Sequence, residues 1–157
     1  MFIKISGNVE VIFKTDKSNY PYDLLLLADE TRDAIDKYLF DSTVYLIKYN
    51  SIEIGVFCLY EINQDIIELK NIAISQSCRN KGLGSFAIQY IKNLCKAHYK
   101  ELIVGTGDSG IQQINFYEKN GFEKYSIHKN FFIENYADPI FENRKQLIDM
   151  VMLRCRL

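Results

Sequence analysis

Apolar positions recur along this chain with two different periods, and the change between them separates strands from helices. Runs with a period near two cover 8–13, 43–49, 53–61 and 65–74, which predicts strands. Asn50-Ser51 and Asn63-Gln64 separate the last three, so these should pair as antiparallel hairpins. From 83 the period changes. Leu83, Phe86, Ala87, Tyr90, Ile91, Leu94 and Cys95 fall at helical spacing, with Gln89, Lys92, Asn93 and Lys96 on the opposite face. Pro21 stands where a helix tolerates proline, opening a stretch over 22–28. Thr31 is placed to cap a second short helix over 31–39. After the amphipathic helix come a short buried strand over 102–104, ending at Gly105-Thr106-Gly107, and a helix over 111–119 closed by the left-handed pair Asn120-Gly121. Strands over 122–133 and 147–154 finish the chain.

Hairpins followed by a strand–helix–strand crossover predict an α/β chain of the α+β kind, with a central mixed β-sheet flanked by helices. The 157 residues contain only two prolines, no repeat and no low-complexity linker, so residues 1–157 read as one domain.

Composition narrows the function. Lys and Arg number 19 against 20 Asp and Glu, so no basic excess exists to hold a nucleic-acid backbone by charge. No apolar run approaches a bilayer span, and the N-terminal residues lack a charged-then-apolar leader, so neither a membrane nor secretion is expected. Cys58, Cys78, Cys95 and Cys155 are widely spaced without a Cys-x-x-Cys pair. That argues against a zinc site or a disulfide framework and favours a reducing, cytoplasmic setting.

The chemistry centres on the loop between the strand over 65–74 and the amphipathic helix. Gly82 and Gly84 stand where the helix begins. First-turn N–H groups lack intrahelical partners and carry partial positive charge. Glycines let an anion approach them, and Arg79 and Lys81 add charge, which together describe a phosphate or pyrophosphate site. Gly82, Gly84 and Ala87 also fit the looser dinucleotide pattern G-x-G-x-x-A, with Asp108 about twenty residues on. Against that reading, a polar stretch separates the strand from the first glycine, and hairpin strands precede it. Glu68 sits mid-strand in an apolar run, where a carboxylate must be paired, hydrated or functional. It is a candidate base for removing a proton from an amine, or simply an ion-pair partner of Lys70; Glu61 is a weaker substitute.

Arg79-Asn80-Lys81-Gly82-Leu83-Gly84 matches Q/R-x-x-G-x-G/A, and in this the sequence resembles the GNAT acetyltransferase family. The preceding Asn-Ile-Ala-Ile-Ser is similar to that family's central strand, with Gln76 and Ser77 where a proline is usual. Asn115-Phe116-Tyr117-Glu118-Lys119-Asn120-Gly121-Phe122 resembles a second family motif, N-x-x-F-Y-E-K-x-G-F, with its spacing tightened. The resemblance covers about 43–133, and the flanks near Asp23 and Asp138 are similar to a bacterial subgroup.

The resemblance implies a GNAT-type fold and an acetyl-CoA-dependent N-acetyltransferase without a metal. It would transfer the acetyl group to a primary amine of a small molecule or protein by direct attack in a ternary complex. Backbone groups of Ile72, Ala73 and Ile74 would pair with the pantetheine arm like an added strand. The amides of Arg79, Asn80, Lys81, Gly82, Leu83, Gly84 and Ser85 would hold the pyrophosphate, and Asn115 would reach the pantetheine arm. Tyr117 would protonate the leaving CoA thiolate. A strand N–H near Ile74 would serve the developing oxyanion.

His98 and His128 join no recognisable site. The aromatic segment over 130–143 is open to three roles: core, acceptor lid or the surface of a homodimer. Two other functions compete with catalysis by acetyl transfer. One is an acyl-CoA sensor that keeps the cofactor groove without turnover; the other is a Rossmann-type nucleotide enzyme.

Overall fold

The computed structural model describes residues 8–14 and 16–157. The expectation of no leader therefore falls mostly outside the described residues. Strands β2 (Thr43–Tyr49), β3 (Ile52–Glu61) and β4 (Ile66–Ile74) form an antiparallel meander, with β1 (Val9–Phe13) added beside β2. The first turn is tight because Asn50 and Ser51 both take positive φ, 49° and 68°, the conformation that suits a two-residue hairpin. In the second, the side-chain oxygen of Asn63 accepts from the amides of Asp65 and Ile66.

Helices α1 (Tyr22–Leu25) and α2 (Arg32–Leu39) lie on one face of the sheet. Thr31 caps α2, its hydroxyl accepting from the amide of Ala34 at 3.1 Å. Leu25, Ile35 and Leu39 bury there against Val44, Val56 and Cys58. The opposite face carries α3 (Leu83–Cys95) and α4 (Ile111–Lys119), whose Ala87, Ile88, Ile91 and Ile114 pack with Phe57, Leu102 and Leu153. β5 (Glu101–Gly107) follows α3 and runs parallel to β4; β9 (Met150–Arg156) and β6 (Glu123–His128) extend the sheet antiparallel. The strand order is β1-β2-β3-β4-β5-β9-β6.

Several expectations are corrected. The last strand begins at Met150 and not at 147, and β5 runs on through Gly105, Thr106 and Gly107 where it was expected to end. α1 ends at Leu25, not at 28, and an exposed turn leads on to α2. The run over 122–133 is not one strand: β6 stops at His128, and Phe131–Asn135 is a short helix, α5. Asn130 makes the break with φ 59°, and its amide donates to Asp149. Phe132 then turns inward and is buried. A small hairpin, β7 (Phe141–Glu142) and β8 (Lys145–Gln146), lies where no element was predicted, because two-residue strands show no periodicity.

One irregularity shapes the site. Cys58 pairs with Asn71 and Leu59 pairs with Leu69, so Lys70 is an extra residue on β4, a β-bulge. Before it, Ile67 and Leu69 face the α3–α4 core; after it, Asn71 and Ala73 face α1 and α2. Pairing between β4 and β5 ends at Leu69 and Val104. Beyond the bulge the two parallel strands part.

Candidate active site

The parting of β4 and β5 opens a cavity of about 1050 Å³. Ile72, Ala73 and Ile74 form one wall of the wedge and Val104, Gly105, Thr106 and Gly107 the other. β4 is paired on its β3 side through Ile74, so beyond Leu69 only its β5 side is without a strand partner. An extended ligand arm laid in the wedge would meet free backbone donors and acceptors there.

At the end of β4 the chain makes a 3₁₀ turn (Gln76–Cys78) and enters α3. Arg79 folds back, its Nε donating to the Ile74 carbonyl at 3.2 Å, which pins the loop to the strand end. Gly82 caps α3 with φ 79°, a left-handed conformation that side chains resist. The first intrahelical bond runs from the Phe86 amide to the Gly82 carbonyl, so the amides from Asn80 to Ser85 are free to meet a ligand, whereas the Arg79 amide already donates to the Gln76 carbonyl at 3.3 Å. A Cβ on Gly84 would lie 3.2 Å from the Phe116 ring, so that glycine also sets how closely α4 approaches α3. Hydrogen bonds from Ser75 and Ser77, with a smaller contribution from the charge of Lys81, draw the Cys78 thiol below its usual range.

Tyr117 is buried in the same wall, edge-on to Phe116 and Phe122 at 5.2 and 5.5 Å. Burial pushes its phenol well above the usual value, so it stays protonated and remains a donor across the neutral range.

The fold thus brings most of the candidate residues to one cavity: Ile72, Ala73 and Ile74; Arg79, Asn80, Gly82, Leu83, Gly84 and Ser85; and Tyr117. Three stand apart from its lining. Lys81 is exposed on the outer side of the loop. Asn115 is exposed on α4, whose cavity side is formed by Gln112, Gln113, Phe116 and Tyr117. Glu68 is buried on β4 before the bulge and ion-paired with Lys70 at 3.3 Å.

The sequence reading left the aromatic segment open to a lid role but missed the rest of the far side of the cavity. The turn carrying Leu26, Leu27, Ala28, Asp29 and Glu30 lines it, with Lys70 and Asn71 from β4 and Phe132, Tyr136 and Phe141 from the aromatic segment. A polar Asn71 in an apolar strand was the available signal. Among the described residues, no group of His, Cys, Asp and Glu is arranged to hold a metal, and no helix is long and apolar enough to cross a membrane.

Comparison with known proteins agrees with this geometry. The model of the acetyltransferase (GNAT) family matches residues 11–122. The uncharacterised N-acetyltransferase YvbK of Bacillus subtilis is 37% identical over 133 residues, which is 84% of this chain and 86% of that protein. A GNAT family acetyltransferase from Elizabethkingia anophelis, solved with acetyl-CoA bound, superposes with a TM-score of 0.92 at 40% identity, covering 96% of this chain and 99% of its own. A Bacillus subtilis acetyltransferase in complex with CoA superposes with a TM-score of 0.86 at 33% identity, again over 96% and 99%. With its splayed central strands, its glycine-capped helix and these relatives, the chain belongs to the GNAT family of acetyltransferases.

Proposed function

We propose that this chain transfers the acetyl group of acetyl-CoA to a primary amine within a ternary complex. One observation carries the reading. The wedge between β4 and β5 has the glycine-capped start of α3 at its mouth and the protonated Tyr117 in its wall. The relatives solved with acetyl-CoA and with CoA support that choice of ligand.

In this reading the amides from 80 to 85 hold the pyrophosphate, and Ile72, Ala73 and Ile74 pair with the pantetheine arm. A neutral amine nitrogen attacks the acetyl carbonyl carbon, and a β4 N–H near Ile74 takes the charge that gathers on the oxygen. The C–N bond forms and the C–S bond breaks, with its electron pair going to sulfur. Tyr117 donates a hydrogen bond to the departing sulfur. A thiol has a reference pKa near 8.5, below that of the buried phenol, so full proton transfer from Tyr117 is uphill. The hydrogen bond supplies the stabilisation, and solvent completes protonation of the sulfur. The amine proton leaves to water at the cavity mouth, with Glu68 as the alternative acceptor. Four free thiols suit a reducing compartment, in keeping with a cytoplasmic enzyme.

Two measurements test this. Acetyl-CoA at 100 times its dissociation constant should stabilise the fold by about 2.7 kcal/mol. Free thiol should also appear in proportion to added amine. No thermal response to acetyl-CoA or CoA would remove the cofactor reading. Binding without amine-dependent thiol release in single cycles would favour a sensor.

A further inference from the structure

The cavity's far wall is made by the turn after α1, the middle of β4 and the segment around α5. On this wall each side-chain donor already has a partner inside the protein. Asn71 is only 4% exposed, and its Nδ2 donates to the Leu25 carbonyl and to the Tyr38 hydroxyl, both at 3.0 Å. Its Oδ1 is left buried with no partner. The Tyr38 hydroxyl donates to Asp29 Oδ2 at 3.2 Å, and the Tyr136 hydroxyl donates to Asp29 Oδ1 at 2.7 Å. Gln113 Nε2 donates to Glu142 at 3.1 Å. The Lys70 ammonium is paired with Glu68 and lies over the rings of Tyr38 and Tyr60.

What the wall chiefly offers is acceptors and negative charge: the Asn71 carbonyl, the exposed Glu30 carboxylate, and the Asp29 carboxylate beside it, which already accepts from Tyr38, Tyr136 and the Glu30 amide. With both donors of its amide anchored, Asn71 cannot flip to offer an N–H instead. A buried carbonyl without a partner is unfavourable until a donor reaches it. Asn71 lies beside Leu25, where the exposed turn over 26–28 begins, and it lines the cavity, so a ligand N–H in the cavity can supply that donor. Between the acceptors the lining is apolar and aromatic, including Leu26, Phe132 and Phe141.

A surface of acceptors around an apolar stretch selects a molecule with several N–H groups on an aliphatic chain. It repels one that carries a carboxylate. We propose that the acetyl acceptor is an aliphatic diamine or polyamine. Asn71 Oδ1 accepts an N–H of the reacting amine, and Asp29 with Glu30 holds the second amino group as ammonium. The inference rests on the acetyltransferase reading above and adds the substrate class. The reacting nitrogen gains the acetyl carbon and loses one proton to water, while the sulfur leaves with its electron pair and is protonated from solvent.

The test compares 1,5-diaminopentane, pentylamine and 5-aminopentanoic acid as acceptors for the intact chain. The diamine should exceed pentylamine in kcat/KM by about tenfold or more, and the amino acid should rank last. Asp29→Asn and, separately, Glu30→Gln should shrink the diamine-to-pentylamine ratio through KM, with acetyl-CoA affinity retained as the check on folding. Glu30 is exposed, so its variant reports even if the Asp29 variant fails to fold. Equal use of diamine and pentylamine, preference for the amino acid, or a ratio that neither folded variant moves would overturn the proposal. Acetyl-CoA binding with no acetylation of the diamine overturns the acceptor class alone. Absence of acetyl-CoA binding by the unmodified chain overturns the reading beneath it.

Discussion

The Tyr136 hydroxyl donates a 2.7 Å hydrogen bond to Asp29 Oδ1, tying the segment after α5 to the turn after α1. Both segments line the far side of the cavity, so this bond fixes the width of that side. Tyr136→Phe keeps the ring, which stacks on Phe132 at 5.8 Å, and removes only the bond. A half-buried hydrogen bond to a carboxylate contributes about 1 kcal/mol, so Tm should fall by about 2–4 °C. KM for the amine should rise while acetyl-CoA affinity holds. An unchanged Tm and KM would mean that the bond orders neither segment.

Gly84 faces the Phe116 ring across the α3–α4 contact. Gly84→Val overfills that contact, at a cost of about 1–3 kcal/mol by overpacking, and places a branched side chain beside the free amides. Acetyl-CoA affinity should drop by more than the loss of stability explains. Calorimetry on folded Gly84→Val would reveal this, and unchanged affinity would move the phosphate site elsewhere.

Tyr117→Phe should keep packing and acetyl-CoA binding while turnover falls on the order of 10²-fold, the range for losing one donor to a developing anion. Because burial raises the phenol, its loss of a proton lies above the reference value of about 10. No alkaline limb from Tyr117 should appear in the pH–rate profile below about pH 10. Single-turnover rates separate this from product release. A variant that matches the parent in single cycles reduces Tyr117 to packing.

Glu68→Gln addresses the base. With Glu68 ion-paired to Lys70 and absent from the cavity lining, kcat should change by less than about threefold, well short of the effect of a general base. A loss near 10²-fold, with disappearance of the acidic limb of the pH profile, would install Glu68 as the base.

Burial holds the Cys58 thiol up at about 12 and the Cys95 thiol at about 11. In the unfolded chain both deprotonate near 8.5. Between those values the folded chain binds more protons than the unfolded one, so stability falls as pH rises from about 8.5 towards 11. Each thiol contributes up to about 1.4 kcal/mol per pH unit. Urea unfolding at pH 8 and pH 10 under reducing conditions should show the decline, and Cys58→Ala should reduce its slope. Equal stability at both pH values would refute it.

Elements with a long, consistent period were legible in advance. The amphipathic stretch from 83 to 95 became α3 with those bounds, because thirteen residues show one buried face whatever lies beyond. The glycine loop was legible for a similar reason: a helix start with glycines in it is local chemistry. The run over 122–133 misled because it is apolar throughout its end, and a left-handed Asn130 leaves no mark on periodicity. Asn115 looked functional through its motif, but its direction depends on where α4 docks.

The order of residues along the chain determined its first four strands, its main helix and a glycine-rich helix start, since each depends on neighbours within a few positions. Folding decided the rest. The bulge at Lys70 exists only against the register of β3, and it parts β4 from β5 to make the wedge. It also turns Asn71 towards Leu25 and Tyr38, leaving one carbonyl unpaired. Asp29 and Tyr136 are 107 positions apart and become partners only when the sheet brings α1 and α5 to the same side of the cavity. A contact of that separation depends on the packing of every element between, so no local pattern encodes it.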